Sequence, residues 1–228
     1  MPRILFVFTS ADSKTDGSGK TGYWLSEAAH PYYLLASHAE IDFAAPKGAN
    51  PPLDPGSVAL TDKNDTESHN FMTDETVLAK FASAKKLTEV DASRYDVVYF
   101  PGGHGPVIDL AFDADNAKLA STFFQSGKIV AAVCHGPAAL VGATDAAGKS
   151  IFSGRRATAF SNAEEAAIKG ETWIPFLPED KIKELGAVFE KASEPFASFV
   201  VQDANLITGQ NPASAAAVGQ AILAALKA

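Results

Sequence analysis

The chain has 228 residues, 46% of them apolar and 20% charged, which is the balance of a globular domain and excludes collagen-like or disordered classes. Its formal net charge of -8 repels phosphate backbones and anionic lipid, so neither nucleic acid nor a membrane surface is an expected partner. Cys134 is the only cysteine, so no intrachain disulfide can form.

The first element is predicted over residues 4–8, Ile4-Leu5-Phe6-Val7-Phe8. A continuous apolar run suits a strand covered on both faces, as in a parallel sheet. It is too short for the core of a signal peptide, and no clean cleavage site follows. The absence of an address points to the cytoplasm. A polar loop (10–20) leads to a helical pattern over 23–37, where Pro31 predicts a kink or a break. Residues 40–45 form a second short strand, ended by Pro46. Residues 46–71 are rich in Pro, Asp, Ser and Asn and read as a surface excursion of one domain, 1–228, since strands resume afterwards.

A helix is expected over 73–82 and a buried strand over 96–100, which runs into Pro101-Gly102-Gly103-His104-Gly105. A helix over 116–125 precedes a strand over 128–133 that ends on Cys134. A short helix over 136–141, a strand over 157–160 and helices from Asn162 and around 182–185 follow. Late strands are predicted at 187–190, 199–202 and 205–208. A final helix opens at Asn211-Pro212-Ala213-Ser214, with Asn211 or its neighbour as the cap. Strands alternating with helices predict an α/β fold with a mostly parallel sheet and helices on both faces. In such folds the working site lies at the carboxyl ends of the strands.

Val130-Ala131-Ala132-Val133-Cys134-His135-Gly136-Pro137 carries the strongest signal. An apolar strand ends on a nucleophile-type residue and a Gly-Pro helix start follows at once, the logic of a nucleophile elbow. The turn lifts the side chain above the sheet, and a helix N-terminus beneath it favours the thiolate. A buried core thiol is the bland alternative, and the strand-end position argues against it. His135 can serve as base or proton shuttle. In the glycine turn after the preceding strand, the Gly103 N–H and the amide of His135 can form an oxyanion hole; a plain turn is the alternative. Glu27, among aromatic and small residues, is either a protonated acid–base group or a solvated first-turn glutamate. One of Glu164 and Glu165 can orient His135 as a third member of a triad, or both can be ordinary first-turn acids. His30, His38 and His69 lack ligand spacing, so no metal site is read.

Taken together, these segments resemble the DJ-one/PfpI superfamily, whose fold is that of class I glutamine amidotransferases, and within it the heat-shock-chaperone-like branch known as glyoxalase III. The matching segments are Gly22-Tyr23-Trp24-Leu25-Ser26-Glu27 with His30-Pro31-Tyr32, Ala45-Pro46-Lys47-Gly48, residues 51–57, Pro101 with its glycine turn, residues 132–137, and Thr208-Gly209-Gln210-Asn211-Pro212-Ala213-Ser214. They span nearly the whole chain. The resemblance implies a flavodoxin-like three-layer sandwich, a homodimer and no cofactor. It implies that Cys134 is the nucleophile, that Glu27 contacts its sulfur, and that His135 completes the site with Glu165, rather than Glu164, as its acidic partner. The implied reaction is glutathione-independent conversion of methylglyoxal to D-lactate. Another reaction on the same elbow, such as hydration of a different small electrophile, is an alternative. So is a holdase, deglycase or oxidant-sensing role, since an exposed low-pKa thiol oxidises readily.

Overall fold

In the computed structural model, which describes residues 1–227, the elements follow the predicted alternation. The strands are β1 (Arg3–Val7), β2 (Glu40–Ala45), β3 (Lys85–Lys86), β4 (Val97–Phe100), β5 (Ile129–Val133), β6 (Arg156–Ala157), β7 (Val188–Phe189), β8 (Val200–Asp203) and β9 (Leu206–Gly209). The helices are α1 (Leu25–Ala36), α2 (Pro55–Ala59), α3 (Thr66–Phe71), α4 (Glu75–Ala82), α5 (Gly105–Ile108), α6 (Ala114–Gln125), α7 (Asn162–Ile168), α8 (Pro178–Glu184) and α9 (Ala215–Ala225). One sheet runs in the order β3-β2-β1-β4-β5-β9-β8. Every pairing in it is parallel except that of β8 with β9. β6 and β7 pair separately. This is the flavodoxin-like α/β fold.

The period-two geometry of a strand explains why β1 is apolar throughout. Ile4, Phe6 and Phe8 face a core shared with α1, α9 and the aromatic residues Phe43, Phe71 and Phe81. Leu5 and Val7 face the opposite core, against Phe123 and Phe124 of α6 and Phe152. Phe6 is fully buried and meets Tyr99 edge to face at 4.8 Å. Phe6→Ala is expected to cost about 3–5 kcal/mol, the usual loss for emptying a buried aromatic site; a urea midpoint unchanged from wild type would contradict this packing.

Several sequence expectations need correction. Pro31 does not break α1, which continues through it. The carbonyl that its missing N–H would have bonded, Glu27 O, instead accepts from the Tyr99 hydroxyl at 2.7 Å. The strand expected over 157–160 stops at Ala157. Beyond it the backbone crosses the sheet end, Thr158 N donating to Thr208 Oγ1 and Phe160 N to the Cys134 carbonyl. Residues 136–141 form a 3-10 turn, Gly136–Leu140, rather than an α-helix. The final helix opens with a 3-10 turn, Pro212–Ser214, and Asn211 holds its N-cap position without a side-chain cap bond, its amide being drawn inward to Glu164 and Ala197 O. The 46–71 excursion holds two capped helices, and its last residue, Phe71, enters the core.

Candidate active site

Two strand ends build the site. β5 delivers Cys134, and β4, its parallel neighbour, delivers the Gly102-Gly103 turn. Cys134 holds φ at +61°, left-handed for a residue with a side chain, at a cost of about 1–3 kcal/mol. The conformation is clamped from both sides: Cys134 N donates to Gly209 O at 2.9 Å, and Cys134 O accepts from Phe160 N at 2.8 Å. The elbow read from the sequence therefore exists, and the strained turn brings two adjacent side chains together. Cys134 Sγ lies 3.2 Å from His135 Nδ1.

His135 Nε2 donates to Glu165 Oε2 at 2.6 Å, which leaves Nδ1 as the acceptor facing the sulfur. Of the two adjacent glutamates in the first turn of α7, Glu165 faces the site. Glu164 turns away and is fully buried, accepting from Ser161 N and Oγ, Phe196 N, Gln210 and Asn211. Five donors satisfy that carboxylate without a cation and pin the 196 and 211 segments beside the cavity.

Glu165 has a second partner that the sequence reading left unassigned. His104 Nε2 donates to Glu165 Oε1 at 2.9 Å, and the His104 ring lies between His135 (4.0 Å between centroids) and Trp173 (4.5 Å). Burial and the neighbouring His135 pull His104 down to about 4, so it is neutral. Glu165 is lowered as well: its burial is outweighed by His135 and His104, and it falls to about 2. The ionised carboxylate thus serves two imidazoles at once. Gly170 permits this, because a Cβ there would strike Glu165 Oε1 and crowd His104 Nε2. The signal for His104 was its place in a glycine turn at a strand end, beside the strand that carries the cysteine. One ligand-type atom from each of His104, His135 and Glu165 lies within 4.8 Å of the others, so these three can also accept a metal ion, at the expense of the hydrogen bonds that join them.

Glu27 approaches from below, on α1. Its Oε2 accepts from Gly102 N at 2.6 Å, and Gly102 is obligatory, since a Cβ there would sit 2.7 Å from that oxygen and 2.8 Å from His135 N. Among the described residues its buried Oε1 has no hydrogen-bond partner, and the carboxyl lies within reach of the Cys134 side chain. Burial raises the Glu27 carboxyl to about 8, so it carries a proton at neutral pH. Burial also pushes the Cys134 thiol well above its ordinary value, Glu27 adds to the rise, and the His135 backbone N–H opposes it. This corrects the expectation of a free thiolate stabilised by a helix N-terminus. The five-residue 3-10 turn supplies little dipole, and the resting Cys134 is a thiol. Glu27→Gln keeps the Gly102 bond and removes the titration. A folded-state pKa raised from 4.5 to about 8 means wild type loses stability as pH climbs through that window. Glu27→Gln is therefore expected to melt higher than wild type near pH 8; an unchanged or lower Tm there would contradict a protonated, buried Glu27.

Gly103, at φ +80°, closes the turn where a Cβ would meet Trp24 N at 2.8 Å. Among the described residues, Gly103 N has no hydrogen-bond acceptor. Above the sulfur lies a cavity of about 200 Å³, reached by Gly103, His104, Cys134 and His135 and walled by Trp24 and Phe160. The four residues expected from the sequence, Glu27, Cys134, His135 and Glu165, therefore converge on one point.

A mostly parallel flavodoxin-like sheet with a strained cysteine at a strand end, joined to a histidine–carboxylate pair, defines an α/β protein of the cysteine-elbow kind. The sequence pattern described as the DJ-1/PfpI family matches residues 57–225. The chain is 30% identical to the glutathione-independent glyoxalase HSP31 of Saccharomyces cerevisiae, covering 99% of this chain and 98% of that protein. Among solved structures, the Rapid Encystment Protein 24 KDa of Francisella tularensis superposes with a TM-score of 0.92 at 35% identity, over 99% of each chain. Glyoxalase III of Candida albicans superposes with a TM-score of 0.85 at 27% identity, over 98% of this chain and 97% of that one. The chain belongs to the DJ-1/PfpI family.

Proposed function

We propose that this protein is a glutathione-independent glyoxalase that converts methylglyoxal to D-lactate. The observation that carries this reading is the Cys134 sulfur at the floor of a small cavity, 3.2 Å from an imidazole nitrogen that Glu165 holds in the accepting tautomer. Full-length likeness to the glyoxalases of two fungi supports the same reaction.

The chemistry follows from the geometry. His135 Nδ1 takes the thiol proton as Sγ attacks the aldehyde carbon, and the carbonyl π pair moves to oxygen. That oxygen is received by the Gly103 and His135 amides and then takes the proton back, giving a hemithioacetal. His135, neutral again, removes the hydrogen from the former aldehyde carbon. The electrons form an enediolate; the hydroxyl proton on the former aldehyde carbon passes to the ketone oxygen, and the proton held by His135 goes to the adjacent carbon, leaving a thioester. The aldehyde carbon is thereby oxidised and the ketone carbon reduced within one molecule, so no external redox partner enters. Water, activated by His135, then cleaves the thioester to lactate and the Cys134 thiol. Glu27, protonated, donates from Oε1 to the sulfur whenever it bears charge. His104 is a positioning residue that acts through Glu165.

The reading includes a homodimer, as the family resemblance implies, and keeps the cytoplasmic location expected from the sequence. Among the described residues, no helix is long and apolar enough to cross a membrane. The test is methylglyoxal consumption by the purified protein with and without glutathione. A rate unchanged by added glutathione supports the proposal; a rate that requires it sinks it.

A further inference from the structure

Methylglyoxal presents one methyl group, yet the cavity is larger and more apolar than that substrate needs. It measures about 200 Å³ and its open walls are carbon. An apolar cavity of about 150 Å³ is enough to hold a benzene ring. The mouth adds a second observation. Leu60, Ile168 and Phe196 are 76%, 48% and 45% exposed, and all three line this cavity. They come from three separate parts of the chain: the residue closing α2, the last turn of α7, and the segment before β8. Large apolar side chains left in water and gathered at one opening mark a binding surface. The placement is enforced. Phe196 holds φ at +64° while its N–H is tied to the buried Glu164, so the backbone accepts strain to keep this ring at the rim. Phe160, with its ring 6.1 Å from that of Phe196, continues the apolar wall inward to the ring of His135.

We infer that the site is built for 2-oxoaldehydes bearing a ring-sized apolar substituent on the ketone carbon, with Leu60, Ile168 and Phe196 gripping that substituent while its aldehyde reaches Cys134. The inference rests on the glyoxalase reading above and names its substrate class. Phenylglyoxal is the simplest probe. Its turnover follows the same balanced sequence, thiol addition, proton transfer between the two carbons and thioester hydrolysis, and gives mandelate with one water consumed and no oxidant.

The experiment compares kcat/KM for phenylglyoxal and methylglyoxal, each without glutathione, in wild type and in Leu60→Ser and Phe196→Ala. Wild type is expected to favour phenylglyoxal at least tenfold. Each variant is expected to lower that ratio at least threefold, chiefly through a higher KM for the aryl substrate. Leu60 is so exposed that its replacement leaves the core untouched, which separates a lost grip from lost folding. A wild type that makes lactate from methylglyoxal but shows no aryl preference overturns this inference and leaves the glyoxalase reading standing. A wild type inactive on both substrates overturns the glyoxalase reading itself. Variants that change the oligomeric mass without changing the ratio also overturn the inference, because the collar would then cover another chain.

Discussion

Cys134→Ser is expected to lower lactate production from methylglyoxal at least about 10³-fold, the scale of losing a covalent nucleophile. The substitution changes one atom at a buried position, and the backbone clamps through Gly209 O and Phe160 N do not involve the side chain. Folding should therefore survive, with Tm within a few degrees of wild type. The loss is chemical. A serine hydroxyl is harder to deprotonate than a thiol, and a 3-10 turn gives little field to help it. His135 at 3.2 Å can still accept a proton, but the attacking oxygen would face a Glu27 carboxyl placed to donate to sulfur. A Cys134→Ser protein that retains full activity would remove the covalent route altogether.

Glu165→Gln is the second large effect, and a hydrogen-bond count predicts it. Glu165 offers two oxygens to two N–H donors, His135 Nε2 at 2.6 Å and His104 Nε2 at 2.9 Å. Gln has one acceptor and an NH₂ group, so one imidazole meets a donor where it had an acceptor. That imidazole must flip tautomer or rotate. If His135 flips, Nδ1 carries hydrogen and can no longer take the thiol proton. Losing the correct tautomer in this way costs about 10³–10⁴-fold in turnover. Stability shifts as well. Glu165 is depressed to about 2 from 4.5, so its contribution is complete above pH 4.5 and is lost as pH falls towards 2. Glu165→Gln should melt lower than wild type at pH 7, with the gap closing under strong acid. Equal activity in the two proteins would show that the carboxylate does not set the tautomer. Glu27→Gln supplies the contrast, since it should raise stability near pH 8 while impairing turnover.

Most of the sheet was legible because parallel strands are buried on both faces. Residues 4–8 and 97–100 are unbroken apolar runs and 40–45 is apolar but for Glu40 and Asp42, and β1, β2 and β4 lie within a residue or two of the predicted limits. The segment 157–160 misled because it is equally apolar yet lies across the sheet end, bonded to a side chain and to the elbow carbonyl rather than to a ladder. Propensity cannot see such partners. Pro31 misled for a related reason: the rescue of its lost hydrogen bond comes from Tyr99, 72 residues away from Glu27 in sequence. Cys134, His135 and the glycine turn were legible as strand-end chemistry. The choice of Glu165 over its neighbour came only from family resemblance, because both sit in the first turn of α7 and only the packed structure shows which faces the histidines. His104 was visible in the sequence but without a role, since its partner lies 61 residues further on.

The central claim is a cysteine-dependent, glutathione-free conversion of a 2-oxoaldehyde to a hydroxy acid of one hand. The most direct measurement is a stereospecific assay of D-lactate formed from methylglyoxal, run on wild type and Cys134→Ser side by side in glutathione-free buffer. D-lactate matching the methylglyoxal consumed in wild type, and none above background in the variant, is the predicted result. Methylglyoxal consumed without D-lactate by a folded wild type, or equal D-lactate from both proteins, would contradict it.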